Sequence, residues 1–446
     1  MTALDRIIPF TAYSVALVAA VYWAFFILTD VVQQVVVNSE GNAQPTHPSK
    51  PGIASLDVYL PPNQKNDNNQ NVDLALDGQP ISLLLDTSFA DLFVVSSECS
   101  NEGPESPCYG TQHPFSIKED TIVLPNETFH TGLYTGTITG NVSFPDVSYG
   151  DLVARYITTA LIYDAWPNYF RNGSFTGVIG VGLRRASIQW RQHKRLPMID
   201  ASILQGIFER PILTLSSPRY GDPEQHTGSL TFGEVQKKYA SINISYADVV
   251  PFSRTPEKPN GLDHLLTIGW TAELEGLRVN NVEVNVTRGR LRPDGRHVSV
   301  VDTGAAGLFI RTADFNAVVL RFNGPTQIEV QPNNETIVWF QCDQPQLLEF
   351  KFRGEWFAID PLDLIEANAD RIVNGMRMCL STLRPYESTL FGDSLMGLPF
   401  LRSVLAVFDY VTDDMYSQPP RLGLGSTVDP KKAFERYGEV YRNRMA

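Results

Sequence analysis

The sequence predicts an all-β chain of two lobes related by a pseudo-twofold axis, with few short helices. Three observations carry that expectation. Beyond a polar stretch near residue 50, the chain is written in short apolar or alternating runs broken by Gly, Pro and Asn, among them NVDLALDG, PISLLLD, GSLTFGEV, EGLRVNNVEVNV and RSVLAVFDYV. LLLDTSFADLF (83–93) and VVDTGAAGLF (300–309) repeat an apolar run, Asp-Thr, a small residue and Leu-Phe. At an offset of 216 residues they match at Asp86/Asp302, Thr87/Thr303, Ala90/Ala306, Leu92/Leu308 and Phe93/Phe309. FTGVIGVGL (175–183) and STLFGDSLMGLPFL (388–401) each set a glycine behind an apolar pair, at Gly180 and Gly392, 212 residues apart. The same two elements in the same order in each half imply a duplicated β-lobe, with one aspartate from each copy. Helical patterning is confined to 362–370 (LDLIEANAD) and 430–443.

In chain order, residues 1–30 hold an uncharged run from Ile7 to Thr29, 23 residues long, enough to span a bilayer as a helix. A cleaved signal peptide is the alternative, but its apolar stretch is usually about 7–15 residues. Length favours a membrane anchor. Residues 31–55 read as a polar stalk, rich in Pro and Gly over 38–52. Residues 56–240 and 241–427 are the expected N-terminal and C-terminal β-lobes, and 428–446 is a polar tail with no apolar end for a GPI anchor.

Four cysteines, Cys99, Cys108, Cys342 and Cys379, follow the apolar segment. An even count behind a targeting segment points to disulfides in an oxidising compartment. No C-x-x-C or H-E-x-x-H spacing supports a metal site, and no cofactor is expected. Six N-x-S/T sequons, at Asn126, Asn141, Asn172, Asn243, Asn285 and Asn334, place the chain beyond Thr29 in the secretory pathway, lumenal or extracellular if the anchor is kept and secreted if it is cleaved. The formal net charge of −13 suits an acidic lumenal setting and leaves no basic stripe for nucleic acid. GVIGVG lacks the G-x-G-x-x-G spacing of a dinucleotide loop, and no βαβ unit follows it.

Two aspartates brought together across a pseudo-twofold axis cannot both ionise cheaply, so the pair shares a proton. One carboxylate then draws a proton from water while the other donates to a substrate carbonyl. With these residues in place the chain resembles the pepsin-like aspartic proteases over roughly residues 70–427. The hydrophobic-Asp-Thr-Gly motif matches 83–88 and 299–304, the paired apolar-apolar-Gly segments match 178–180 and 390–392, and 392–410 looks like the closing segment. The resemblance implies Asp86 and Asp302 as the catalytic pair, Thr87, Ser88, Thr303 and Gly304 as its support, and disulfides Cys99–Cys108 and Cys342–Cys379. It further implies a peptide or protein substrate lying extended in the inter-lobe cleft of a monomer. Phe89 and Phe309 are candidate apolar walls beside the scissile bond, with a place in the core as the alternative for Phe309. HTGLYTGTITGNVSF (130–144) resembles the flap hairpin, with Tyr134, Thr135 and Gly136 as substrate-binding candidates. The family's spacing puts Leu133 at the tyrosine position, a one-residue shift restores Tyr134, and an ordinary hairpin is the third option.

Several positions depart from the family pattern. Ser88 replaces a glycine, Phe89 and Ala305 stand where hydroxyls support the two carboxylates, and Phe93 replaces a tryptophan that bonds the flap tyrosine. Losing those hydroxyls raises the carboxyl pKa values, so the expected pair works at less acidic pH than its relatives. Between Asp30 and Gln70 the basic residues are Lys50 and Lys65, too few for the family's basic pro-segment. The leading expectation is a membrane-anchored aspartic endopeptidase. A catalytically impaired peptide- or glycan-binding module and a structural adhesion protein are the alternatives.

Overall fold

The leucine- and valine-rich runs that lead into the two Asp-Thr motifs fold as strands, Gln79–Asp86 and Val298–Val301. In a computed structural model the described residues are 50–444, except 62–67, 134–135, 167–169, 171–174, 224, 253–268, 389–391 and 411–418. The expected anchor at 7–29, most of the stalk, Tyr134, Thr135 and Asn172 lie outside them. Among the described residues no helix is long and apolar enough to cross a membrane.

Each half builds its own sheet around its Asp-Thr motif. In the first half, nine strands run in the order Val123–Leu133, Gly136–Ser143, Thr159–Trp166, Leu92–Val95, Gly177–Gly180, Gln79–Asp86, Asn71–Leu76, Val147–Tyr149 and Leu152–Ala154. Strand Gly177–Gly180 lies between the two arms of the aspartate loop, parallel to Gln79–Asp86 and antiparallel to Leu92–Val95. The second half repeats the arrangement. Ser394–Met396 runs parallel to Val298–Val301 and antiparallel to Leu308–Ile310. The outer arm then pairs in parallel with Thr159–Trp166 in one half and with Leu383–Pro385 in the other. A third sheet of six strands takes members from both halves, Ala54–Val58, Gly228–Phe232 and Ile212–Ser216 with Val404–Asp409, Arg421–Ser426 and Ser245–Asp248. The largest apolar cluster is continuous through it, from Leu83 and Leu85 to Trp270, Val301 and Phe408.

Two expectations change. Residues 362–370 are not a helix: Asp360 caps a single 3-10 turn at Pro361–Leu364, and strand Ile365–Val373 follows. The strand wins because Asn374 and Gly375, at φ 51° and 78°, make a two-residue hairpin that returns it onto Met376–Ser381. The glycine paired with Gly180 is also not Gly392. Gly180 stands opposite Asp86, and the residue after the Val301–Met396 pair, hence opposite Asp302, is Gly397. Asp302 N donates to Met396 O at 3.1 Å, and Leu398 N donates to Ala305 O at 2.8 Å.

The C-terminal pattern folds as expected, as helix Pro430–Arg444. Asp429 accepts from Lys431 N at the start, and Pro430 occupies the first turn, where a missing N–H costs nothing. Ala433, Tyr437 and Val440 form its buried face. The Tyr437 hydroxyl donates to Cys342 O at 2.7 Å, and the Tyr441 hydroxyl lies 3.4 Å from Cys379 Sγ, so the helix seats on the Cys342–Cys379 disulfide.

Arg436 projects from this helix into a buried ionic cluster. Its guanidinium donates to Asp222 at 2.7 Å and to Asp360 at 2.6 Å. Arg219 grips Asp363 with two bonds, at 3.0 and 2.7 Å, and Asp222 with one at 2.7 Å, while Arg402 reaches Asp363 at 2.8 Å. Burial pushes the Asp222 carboxyl up, but Arg436 and Arg219 outweigh it and hold it below the usual carboxylate range.

Candidate active site

Both Asp-Thr motifs sit where a strand ends and the chain must cross over the strand inserted between its two arms. That crossing leaves little room. A Cβ on Gly180 would fall 2.6 Å from Asp91 O, and one on Gly397 would fall 2.2 Å from Ala305 O. Glycine lets the inserted strand pass beneath each loop, which holds the aspartate at a fixed height.

The loops are locked to each other by their threonines. Thr87 N donates to Thr303 Oγ1 and Thr303 N to Thr87 Oγ1, both at 3.0 Å. In turn Thr87 Oγ1 donates to Val301 O at 3.1 Å and Thr303 Oγ1 to Leu85 O at 2.8 Å. Each hydroxyl therefore braces the opposite loop, and the four bonds are buried. Sequence reasoning assigned the threonines a bracing role but not this exchange across the axis.

The carboxyl groups meet above that brace. A Cβ on Gly304 would lie 3.1 Å from both Asp302 Oδ1 and Asp86 Oδ2, so one methyl-sized position touches both side chains. Asp86 Oδ1 accepts from Ser88 N at 2.8 Å, Ser88 Oγ at 2.9 Å and Phe89 N at 3.0 Å. Asp302 Oδ1 accepts from Gly304 N at 2.8 Å. Burial raises both carboxyls, opposed at Asp86 by the bonds from Ser88 and Phe89. Burial and then the Asp86 charge push Asp302 up to about 7. Unequal donor counts thus make Asp86 the carboxylate and Asp302 the carboxylic acid of the pair.

A profile of the Eukaryotic aspartyl protease family matches residues 70–416. The chain belongs to that family. It is 22% identical over 345 residues to the Probable aspartic-type endopeptidase CTSD of Arthroderma benhamiae, covering 76% of this chain and 58% of that one. It is 24% identical over 182 residues to Pregnancy-associated glycoprotein 1 of Ovis aries, covering 40% and 44%. It is 26% identical over 172 residues to Procardosin-A of Cynara cardunculus, covering 38% and 32%. The chain thus spans under two thirds of the Arthroderma benhamiae relative's length.

Set beside the family pattern, the site shows what its departures do. Ser88 Oγ supplies Asp86 with the hydroxyl bond that Phe89 cannot give. Phe89 gives its N–H instead and turns its ring to Phe93, with centroids 5.9 Å apart and planes at 80°. Phe93 is fully buried and lies 6.2 Å from Phe129, on the outer strand of the flap-like hairpin. Ring packing therefore joins the aspartate loop to that hairpin where the family uses a hydrogen bond. Phe129 was not singled out from sequence; its place opposite Gly140 in a regular hairpin was the available signal. Gly136 opens the inner strand opposite Leu133, with Tyr134 and Thr135 between them outside the described residues. Phe309 is half-buried and packs edge-on to Tyr386 at 6.3 Å.

Both expected disulfides form, Cys99–Cys108 and Cys342–Cys379. Of the sequons, Asn126, Asn243, Asn285 and Asn334 are exposed, while Asn141 is half-buried on a strand paired on both sides. Among the described residues no cluster of His, Cys, Asp and Glu is arranged to hold a metal ion.

Proposed function

We propose that this chain is an aspartic endopeptidase that hydrolyses peptide bonds with a water activated between Asp86 and Asp302. The observation that carries the reading is the inequality of the pair: two carboxyls touching one small volume, one with three donors on a single oxygen and the other raised to about 7. Asp86 takes a proton from water as the oxygen attacks the carbonyl carbon, and Asp302 gives its proton to the carbonyl oxygen. Collapse of the tetrahedral diol breaks the C–N bond. The leaving nitrogen takes the proton from Asp86, and a diol hydroxyl returns one to Asp302, so both carboxyls end as they began. The alkaline limit of activity is the ionisation of Asp302, which places this enzyme's working range above that of a strongly acidic relative. Substrate lies extended between the halves, with Phe89 beside the pair. The uncharged run 7–29 and the exposed sequons fit a single-pass anchor that holds the catalytic part, as a monomer, on the lumenal or extracellular side.

The test is cleavage of a mixed peptide pool from pH 3 to 7 by residues 38–446 made in a secretory host. Cleavage should fall by about 10²-fold or more in Asp86→Asn and in Asp302→Asn, the loss expected for removing a general acid or base. A peptide analogue with a central hydroxyl should block it. Folded, disulfide-intact protein that cleaves nothing at any pH would replace this reading with that of a peptide-binding module.

A further inference from the structure

No Asp or Glu occurs between Asp164 and Asp200, although the chain carries 49 of them and a net charge of −13. Within that gap, residues 184–195 hold Arg184, Arg185, Arg191, Lys194 and Arg195, with His193 among them. They fold as the 3-10 turn Arg184–Ala186 and the short helix Ile188–His193. Two of the cations are matched, since Arg184 donates to Asp200 at 2.7 Å and Arg195 to Glu127 at 2.8 Å. Arg185, Arg191 and Lys194 are exposed, and among the described residues none of them forms an ion pair. The Arg191 charge acts on the buried Asp91 from a distance, but its Nε donates to Ser187 O at 3.2 Å. Lys194, at φ 58°, lies over the Trp190 ring, 5.7 Å from its centroid, with Arg184 at 5.0 Å. Over 288–296 the second half has four arginines, but three of them are answered by Glu387 and Asp294. Of these two arginine-rich segments, the first is the one whose exposed cations lack carboxylates.

That segment sits beside the first aspartate loop. Gly180 stands opposite Asp86, and two residues on Gly182 N donates to Phe89 O at 2.7 Å. Ala186 then packs in one small apolar cluster with Ala90 of that loop and with Val250, Phe252, Leu291 and Val298 of the second half. At its far end the helix meets the outer strand of the flap-like hairpin, where His193 Nε2 lies 3.3 Å from Thr128 O. We propose that Arg185, Arg191 and Lys194 dock an acidic stretch of the polypeptide substrate where it passes the aspartate pair. Arg185 is five residues past Gly180, so even a fully extended chain keeps it within about 18 Å of that glycine. The matching carboxylates therefore fall within about five residues of the scissile bond, on one side of it. The net negative charge of the protein repels such a substrate, and a local group of cations gives it one place to approach. Exposed cations act through charge rather than buried contact, so salt screens them.

The cleavage arm of the test rests on the endopeptidase reading; the binding arm does not. Labelled peptides with one apolar core carry a run of Asp before it, a run of Asp after it, or Ser and Gly on both sides. Their binding to the full-length chain is read by fluorescence anisotropy, and their cleavage as kcat/KM, in low salt and in 1 M salt. At low salt one of the acidic peptides should bind about tenfold tighter than the neutral one, the summed effect of three exposed ion pairs, and KM should fall with it. In 1 M salt, where the screening length is about 3 Å, the advantage should vanish. Arg185→Gln, Arg191→Gln and Lys194→Gln together should abolish it and leave the neutral peptide unchanged. Arg185→Lys with Arg191→Lys keeps the charges and should keep the preference. Equal binding of all three peptides, a preference that survives the triple glutamine variant, or a variant that weakens all peptides alike overturns the docking surface. If peptide binding is equal but retention on heparin is lost in the triple variant, the patch belongs to an anionic glycan instead. A preference in binding by protein that cleaves no peptide supports the docking surface and overturns only the endopeptidase reading.

Discussion

Ala305 presents a methyl group where the family pattern places a hydroxyl, and burial followed by the Asp86 charge pushes Asp302 up to about 7. A donor restored there favours the ionised form, the opposite of deleting the Ser88 hydroxyl. Ala305→Ser should therefore move the alkaline limb of kcat/KM down by about one pH unit and raise the unfolding midpoint at pH 7. A pH–rate profile and a melt at pH 7 check both signs. At this scale the sequence was a good guide to identity and a poor one to bonding. Asp86, Thr87, Asp302 and Thr303 stand out because the motif is written twice. The exchange of hydroxyls between the loops does not, since it joins residues 216 apart whose approach only the folded axis creates.

The aspartate loops keep their height because a strand threads beneath each one. Gly397→Ala would put a carbon 2.2 Å from Ala305 O and 2.3 Å from Gly307 O, against backbone rather than a yielding side chain. Overpacking of that kind should cost about 3 kcal/mol, read as a lowered denaturant midpoint, and the pair should lose activity with its loop displaced. The strands themselves were legible from their short apolar runs, and the tail helix from its spacing. The second glycine was misplaced because LFG and LMG both satisfy an apolar-pair rule five residues apart, and only the register with Val298–Val301 decides between them. Residues 362–370 read as helical for a similar reason. Their pattern is locally ambiguous, and the Asn374-Gly375 turn that makes them a strand lies just outside it.

Across the whole molecule the least legible feature is the buried cluster of Arg219, Arg402 and Arg436 with Asp222, Asp360 and Asp363. Its partners are up to 214 residues apart, and each looks in sequence like an ordinary surface charge. Three cations against three anions leave the group formally neutral inside the protein, where an unmatched charge is expensive. Arg436→Ala removes one cation and leaves Asp222 and Asp360 each short of a donor. Breaking a fully buried pair costs about 3–5 kcal/mol, and the Arg436 side chain is 25% exposed, so a loss of about 2–3 kcal/mol is expected by chemical denaturation. Because Asp222 is held below its usual range, the stability it contributes is present at neutral pH and lost as pH falls through its folded value. The wild-type advantage over Arg436→Ala should accordingly shrink in acid.

The position of that third arginine has a consequence for how the protein is made. A ribosome delivers Arg219 and Asp222 first, Asp360, Asp363 and Arg402 far later, and Arg436 last of the six. Until then the growing polypeptide holds three of these aspartates against two of these arginines, whatever else has folded. The cluster can reach charge balance only once helix Pro430–Arg444 has been made, so that segment acts as the clasp on an ionic interior whose other members were translated before it.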